Sequence, residues 1–351
     1  MSEPQASDDR SPSTPRGRDG TAVVALLVVL IASLGAARIV TLVHEHELDL
    51  WVDVILRQVE HGEAIKQRFA SRILAPYGIY YLAQLGLPVE TALKGFYVAA
   101  MMVANGAVYA AFRRWTGCHR TSLYYVLAAT ALTVLLLWPR NHGWDYVDLA
   151  VFSLLAYGIA SRRGLVFFAV LFSVGVLNRE SAFFIVVWLV IDGLAWSRRR
   201  LKVTKRWNLL AATVLAAGGA GYVAWAREAL FTVAYLEPPV SERHTDLFGH
   251  PVRWLENLGR LARAPFDPTA ATVLSFVALC LVATFLARHR IRGEVAKVLV
   301  LLGTMLLANL TFGRPDVSRL YLSFVPLLLY CHHQLYGRRG AEPAPPREQA
   351  D

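Results

Sequence analysis

Charge is scarce in this chain. Only 18% of its 351 residues are Asp, Glu, Lys or Arg and 55% are hydrophobic, whereas soluble domains are roughly one quarter charged. A mean hydropathy of +0.40 spreads that apolar excess well beyond a single core. Secreted, fibrous and nucleic-acid-binding classes are thereby disfavoured, and a polytopic membrane protein is expected. Cysteine is equally sparse. Cys118, Cys280 and Cys331 have no paired spacing, which argues against a disulfide framework and a zinc site. A Gly-rich phosphate loop, the HExxH and GxSxG signatures and any fixed-period repeat are all missing. The basic excess, a net charge of +10, then needs no nucleic acid partner, because cytoplasmic loops of polytopic proteins carry Lys and Arg against anionic lipid.

What the sequence does contain is a series of apolar runs, near 21–43, 71–87, 93–112, 121–138, 145–160, 164–178, 181–196, 207–228, 269–288, 294–312 and 320–337. Residues 1–20 mix Ser, Pro, Asp and Arg without apolar periodicity and read as a disordered cytoplasmic tail. The run that follows is longer than a signal-peptide core and its leader is acidic in part, so it reads as a retained anchor. Were every run to span, the basic loops would fall on both sides of the membrane. Segment 71–87 is opened by Arg72 and interrupted by Pro76 and Gly78. Treating it as non-spanning places the basic loops 113–120, 161–163, 197–206 and 288–293 on the same side as the tail.

The expected fold is therefore an all-α, polytopic helical bundle of about ten transmembrane helices over 21–337 in the inner (plasma) membrane. Both termini are cytoplasmic, with 338–351 as the second tail. Long outer loops run over 44–92 and 229–268, and short outer turns over 139–147, 179–180 and 313–319. Arg38, near the outer end of the first span, is expected to snorkel to the headgroups.

Both long loops contain helical periodicity. Leu48, Trp51, Val52, Ile55, Leu56 and Val59 share one face, with Glu45, Asp49, Asp53 and Arg57 away from it. This predicts an interfacial amphipathic helix with Trp51 at headgroup depth. Residues 252–261 suggest a second, shorter one between Pro251 and Pro265.

Acids after the first span, a bilayer-embedded body and polar turns at the outer helix ends suit a lipid-linked substrate. Four features go together: the acidic loop opening at Glu45-His46-Glu47 and Asp49; the basic turn Arg113-Arg114-Trp115-Thr116-Gly117; the segment Arg72-Ile73-Leu74-Ala75-Pro76; and the turn Asn178-Arg179-Glu180-Ser181. In these, over most of 21–337, the chain resembles the C-type glycosyltransferase (GT-C) superfamily, polytopic enzymes that use polyprenyl-phosphate sugars. It departs from the better-known members in having no adjacent Asp-Asp or Asp-Glu after the first span. The resemblance implies a hexosyl- or pentosyltransferase of the cell envelope, working on the outer face with a polyprenyl-phosphate sugar donor and a lipid, glycan or protein acceptor.

Such chemistry requires a carboxylate to take the proton of the attacking hydroxyl and guanidinium groups to receive the phosphate. Glu45, Glu47 and Asp49 are the candidates for the base, with Asp53 set aside because Arg57 pairs with it at i,i+4. Arg72, Asp145, Asp148, Arg179, Glu180, Arg314 and Arg319 are the candidates for substrate binding. Structural roles compete for the same residues. Asp145 and Asp148 are equally suited to capping the following helix. Arg179 and Glu180 fit a pair that only fixes the turn, and Arg314, Asp316 and Arg319 fit interfacial anchoring. His44, His46 and His61 form no closed ligand set, so no cofactor is assigned, with a divalent cation left open. A transporter or flippase for a lipid-linked glycan is the main rival, and a non-catalytic membrane assembly subunit the third. The gathering of charge at one face, with Lys297 the main intrusion on a span, favours the enzyme.

Overall fold

The computed structural model describes residues 17–64, 70–139, 141–197, 200–230, 232–233, 254–263, 268–291, 293–313 and 317–337. Residues 1–16 of the first expected tail, the whole of the second, Arg314, Asp316 and most of the second long loop lie outside the described residues, whereas 17–20, expected as disordered tail, are helical. Five helices are long and apolar enough to cross a membrane: α1 (Gly17–Val43), α4 (Val89–Thr116), α5 (His119–Leu137), α9 (Arg206–Trp225, continued by a π turn Ala226–Leu230) and α12 (Gly293–Thr311). Around them stand α6 (Gly143–Ala160), α7 (Leu165–Val176), α8 (Phe183–Gly193), α11 (Pro268–Leu286) and α13 (Val325–Tyr336). Large apolar side chains such as Leu26, Ile31, Val214 and Leu279 remain exposed on these helices. That surface is costly in water and matched to lipid. The architecture is thus that of a polytopic membrane bundle.

Several expected boundaries move. α7 and α8 are shorter than the apolar runs behind them, because α7 gives way to a polar turn at Asn178 and α8 ends at Gly193. The last run divides into a 3-10 stretch, Ser318–Phe324, and α13, with Pro326 in the first turn where its missing N–H costs nothing. Segment 71–87 forms only α3 (Leu74–Ala83), whose rise of about 15 Å is half a hydrocarbon core.

The chain is all-α as expected, with two small ladders added. β1 (Glu63–Ala64) pairs in parallel with β4 (Thr232–Val233), tying the first long loop to the chain beyond α9. β2 (Leu194–Ser197) and β3 (Arg200–Val203) form an antiparallel hairpin within the basic loop that joins α8 to α9.

α6 is the centre of the bundle. Almost every residue along it is buried, as expected of a helix apolar on all sides. α7 approaches it closely at Gly175, where a Cβ would come within 2.9 Å of Ala182 and 3.3 Å of Val151. Bonds between helix ends show how the chain alternates in direction. At one end the His44 Nε2–H donates to the Leu137 carbonyl (3.0 Å) and the Ser318 hydroxyl to the Leu136 carbonyl (2.6 Å). At the other, Lys297 reaches Asp192 (2.8 Å) and Tyr125 meets His332 (3.1 Å). The first end carries α2 (Leu48–Glu60) and α3, and the second carries the β2–β3 hairpin.

α2 forms over the expected stretch, and Asp53 and Arg57 pair along it at 2.9 Å. The half-buried Trp51 ring packs edge-on against His142 (4.5 Å) and Trp144 (5.1 Å), so protein covers part of it. The second amphipathic element is α10 (Trp254–Arg263). It is pinned by the buried Asn257 amide, which donates to the Leu310 and Gly313 carbonyls.

Candidate functional site

The first turn of α6 supplies the centre of the site. Asp145 stands three residues inside the helix and is fully buried. The capping role is not taken: His142 is the N-cap residue, and no side chain caps the helix. Both acids of this turn face arginines instead. Arg179 Nη1 donates to Asp145 Oδ1 (3.1 Å) and to Asp148 Oδ2 (3.0 Å), and Arg319 Nη1 reaches Asp145 Oδ2 at 3.2 Å. The Asn178 amide donates to the Trp144 carbonyl (2.9 Å) and to Asp148 (3.2 Å), while the Ser181 hydroxyl donates to Asp148 (2.9 Å).

A second half of the network is centred on Glu180. It accepts bonds from the Ser71 hydroxyl (2.7 Å) and Arg227 Nη2 (3.0 Å), and lies 3.7 Å from Arg72. The expected Arg179–Glu180 pair is therefore not made, since the neighbours turn to different partners. Backbone bonds hold the pieces in place. The N–H groups of Ile73 and Leu74 both donate to the Leu177 carbonyl, and Tyr222 donates to the Ser71 carbonyl. Arg72 also stacks over the Trp144 ring at 4.9 Å, joining the two halves by a cation–π contact.

The site is dense in charge. Among the described residues the network contains four guanidinium groups, Arg72, Arg179, Arg227 and Arg319, and three carboxylates, Asp145, Asp148 and Glu180. Burial pushes the Glu180 carboxyl up, but Arg72, Arg227 and Ser71 more than offset it and hold it down at about 2. Burial lowers Arg72 to about 9 against the pull of Glu180, so it stays charged at neutral pH. His142, beside the cluster, is driven down to about 3 by burial and then by Arg319, and contributes no charge. All four guanidiniums sit in a poorly solvated place, where each depends on its partners to offset the cost of burial.

The expected residues divide cleanly. Arg72, Asp145, Asp148, Arg179, Glu180 and Arg319 are brought together from four separate stretches of chain, whereas Arg314 lies outside the described residues. Glu45 and Asp49 are exposed and make no contact with the network among the described residues. Glu47 is half-buried at its margin, 3.5 Å from His44 Nδ1, and lies near enough to act electrostatically on the Tyr97 hydroxyl, as Asp145 also does. Among the described residues no three His, Cys, Asp or Glu side chains converge on a metal position. The network acids already serve guanidiniums, a donor set that does not fit a divalent cation. His46 and His61 are exposed.

Arg227 and Ser71 are the members that sequence reasoning missed. Arg227 closes the apolar run of α9, where a charge reads as an ordinary boundary; only the π turn carries it inward. No family model, curated protein or solved structure matches this chain.

Proposed function

We propose that the chain is a membrane glycosyltransferase that moves a sugar from a polyprenyl-phosphate donor to a lipid, glycan or protein acceptor. The observation that carries this reading is the buried convergence of Arg72, Arg179, Arg227 and Arg319 from separate parts of the chain, at the end of the bundle that also holds the half-buried carboxylate of Glu47. A phosphate monoanion or dianion is the natural complement, because guanidinium forks bind phosphate through parallel hydrogen bonds.

Transfer then proceeds at the margin of the network. The acceptor hydroxyl gives its proton to the Glu47 carboxylate as its oxygen bonds to the anomeric carbon. The bond from that carbon to the phosphate oxygen breaks, and its electron pair leaves on the phosphate, where Arg179 and Arg319 stabilise the added charge. Asp145, gripped by both, keeps the two guanidiniums aligned.

In this reading α1, α4 to α9 and α11 to α13 cross the inner membrane, both termini are cytoplasmic, and the α2 end faces outward. Arg113, Arg114, Arg162, Arg163, Arg288 and Arg290 then fall in cytoplasmic loops. The brevity of α7 and α8 recesses the turn at Arg179 and Glu180 below the outer surface, where charge implies function by default. Cys118 is exposed in the loop after Arg113. An impermeant thiol reagent should spare it in intact cells and label it after permeabilisation; labelling of intact cells would reverse the orientation.

The function is tested in sealed vesicles containing the purified chain and a panel of radiolabelled polyprenyl-phosphate sugars. Label appearing in an acceptor supports the transferase. Label that crosses the bilayer still attached to its lipid would replace it with a flippase.

A further inference from the structure

The phosphate reading leaves further buried polar atoms at the same helix start unused. The Tyr97 hydroxyl, Asn141 Oδ1 and Trp51 Nε1, like the Tyr146 hydroxyl of that turn, are shielded from solvent and have no hydrogen-bond partner among the described residues. Folded proteins leave few such groups unpaired, and each one asks for an explanation. They come from α4, from the connection into α6 and from α2, yet they gather on the first turn of α6. A Cβ on Gly143 would lie 3.5 Å from the Tyr97 oxygen. Trp51 packs edge-on against His142 and Trp144, its ring only partly buried. Asn141 precedes His142 directly and is itself 2% exposed.

His142 adds a fourth group. Its Nδ1–H donates to the Asn141 carbonyl at 2.7 Å, which leaves Nε2 with a free lone pair. These side chains are neutral: indole, phenol, amide and an imidazole that burial keeps uncharged. They offer donors, acceptors and aromatic surface, but no counter-charge. The complementary ligand is an uncharged ring bearing several hydroxyls, which both donate and accept, with polarised C–H bonds able to lie on an electron-rich aromatic face. The guanidiniums are close by, because Asp145, which Arg179 and Arg319 grip, follows His142 by three residues.

We propose that Trp51, Tyr97, Asn141 and His142 form the sugar subsite, selective for an uncharged hexosyl or pentosyl ring. The proposal rests on the glycosyltransferase reading for the phosphate beside it. A uronic acid ring is refused because its carboxylate would be desolvated among neutral groups, while the neighbouring Arg179 and Arg319 are engaged by Asp145, Asp148 and the donor phosphate. A ring lacking the matched hydroxyl would leave the Tyr97 or Asn141 atom unpaired.

The test uses the full chain in nanodiscs and measures equilibrium binding of polyprenyl phosphate itself, its glucosyl, mannosyl, galactosyl and arabinosyl esters, and its galacturonosyl ester. The wild-type chain should bind at least one neutral ester tenfold or more tighter than bare polyprenyl phosphate, and the galacturonosyl ester no tighter than the bare lipid. Tyr97→Phe keeps the ring stacked on Tyr146 at 4.3 Å, and Trp51→Phe keeps an aromatic ring while removing the N–H. Each should reduce the preference for the neutral ester severalfold and leave the bare lipid bound as before. Wild-type binding of the bare lipid without preference for any neutral ester would remove the sugar subsite and leave the phosphate site standing. Variants that weaken every ligand equally would show the side chains to be structural and overturn the subsite as well. Failure of the wild-type chain to bind even bare polyprenyl phosphate would remove the phosphate reading and the subsite together.

Discussion

The two ends of the bundle hold similar charges under opposite conditions. At the hairpin end Asp192 receives Lys205 (2.6 Å) and Lys297 (2.8 Å), with the Lys205 side chain 56% exposed. At the α2 end Asp145 is fully buried and receives two arginines that are themselves 14% and 16% exposed. Lysines near water cost little to place and contribute little. Buried guanidiniums carry a desolvation penalty that their partners must offset, and breaking one such pair strands the other charge. The hairpin end needs no more than loop packing and partly solvated lysine–aspartate pairs to account for it. The α2 end assembles charge from distant parts of the chain and buries it.

Variants sharpen this contrast. Glu47→Gln should produce the largest change, a fall of about 10²- to 10⁴-fold in turnover, the usual value of a positioned base. Donor affinity and melting temperature should remain near wild-type, as checked by binding and thermal unfolding on the same preparation. Asp145→Ala should follow, destabilising the chain by about 3–5 kcal/mol as Arg179 and Arg319 lose their shared carboxylate; thermal unfolding in detergent measures it. Lys205→Ala, at the other end, should cost no more than about 1 kcal/mol because the pair is largely solvated. If the two ends responded alike, burial would not be what distinguishes them.

How much of this was legible in the sequence depends on what each signal measures. The turn at Asn178–Ser181 stood out because charge between two apolar runs has few innocent explanations, and it does lie at the heart of the network. Asp145 was ambiguous, because an acid near a helix start serves a cap and an arginine equally well, and only three-dimensional position distinguishes them. Trp51 shows the limit of periodicity. Spacing identified an apolar face on α2 but not the protein side chains that partly cover it, His142 and Trp144. Hydropathy also overran the ends of α7 and α8, since a run stays apolar through residues whose backbone has already left the helix. Arg227 gave no warning, because its inward turn follows from the π geometry at the end of α9.

The most direct measurement is the affinity for polyprenyl phosphate of wild-type, Arg179→Lys and Arg319→Lys chains, taken with melting temperatures on the same purified samples. Lysine preserves the charge and removes the fork. If these buried guanidiniums are a phosphate site, each variant should lose about 1.5–3 kcal/mol of binding, the contribution of a charge-assisted hydrogen bond, with little change in melting temperature. Unchanged affinity in both, together with lowered melting temperatures, would mean that the buried network only holds the helix ends together.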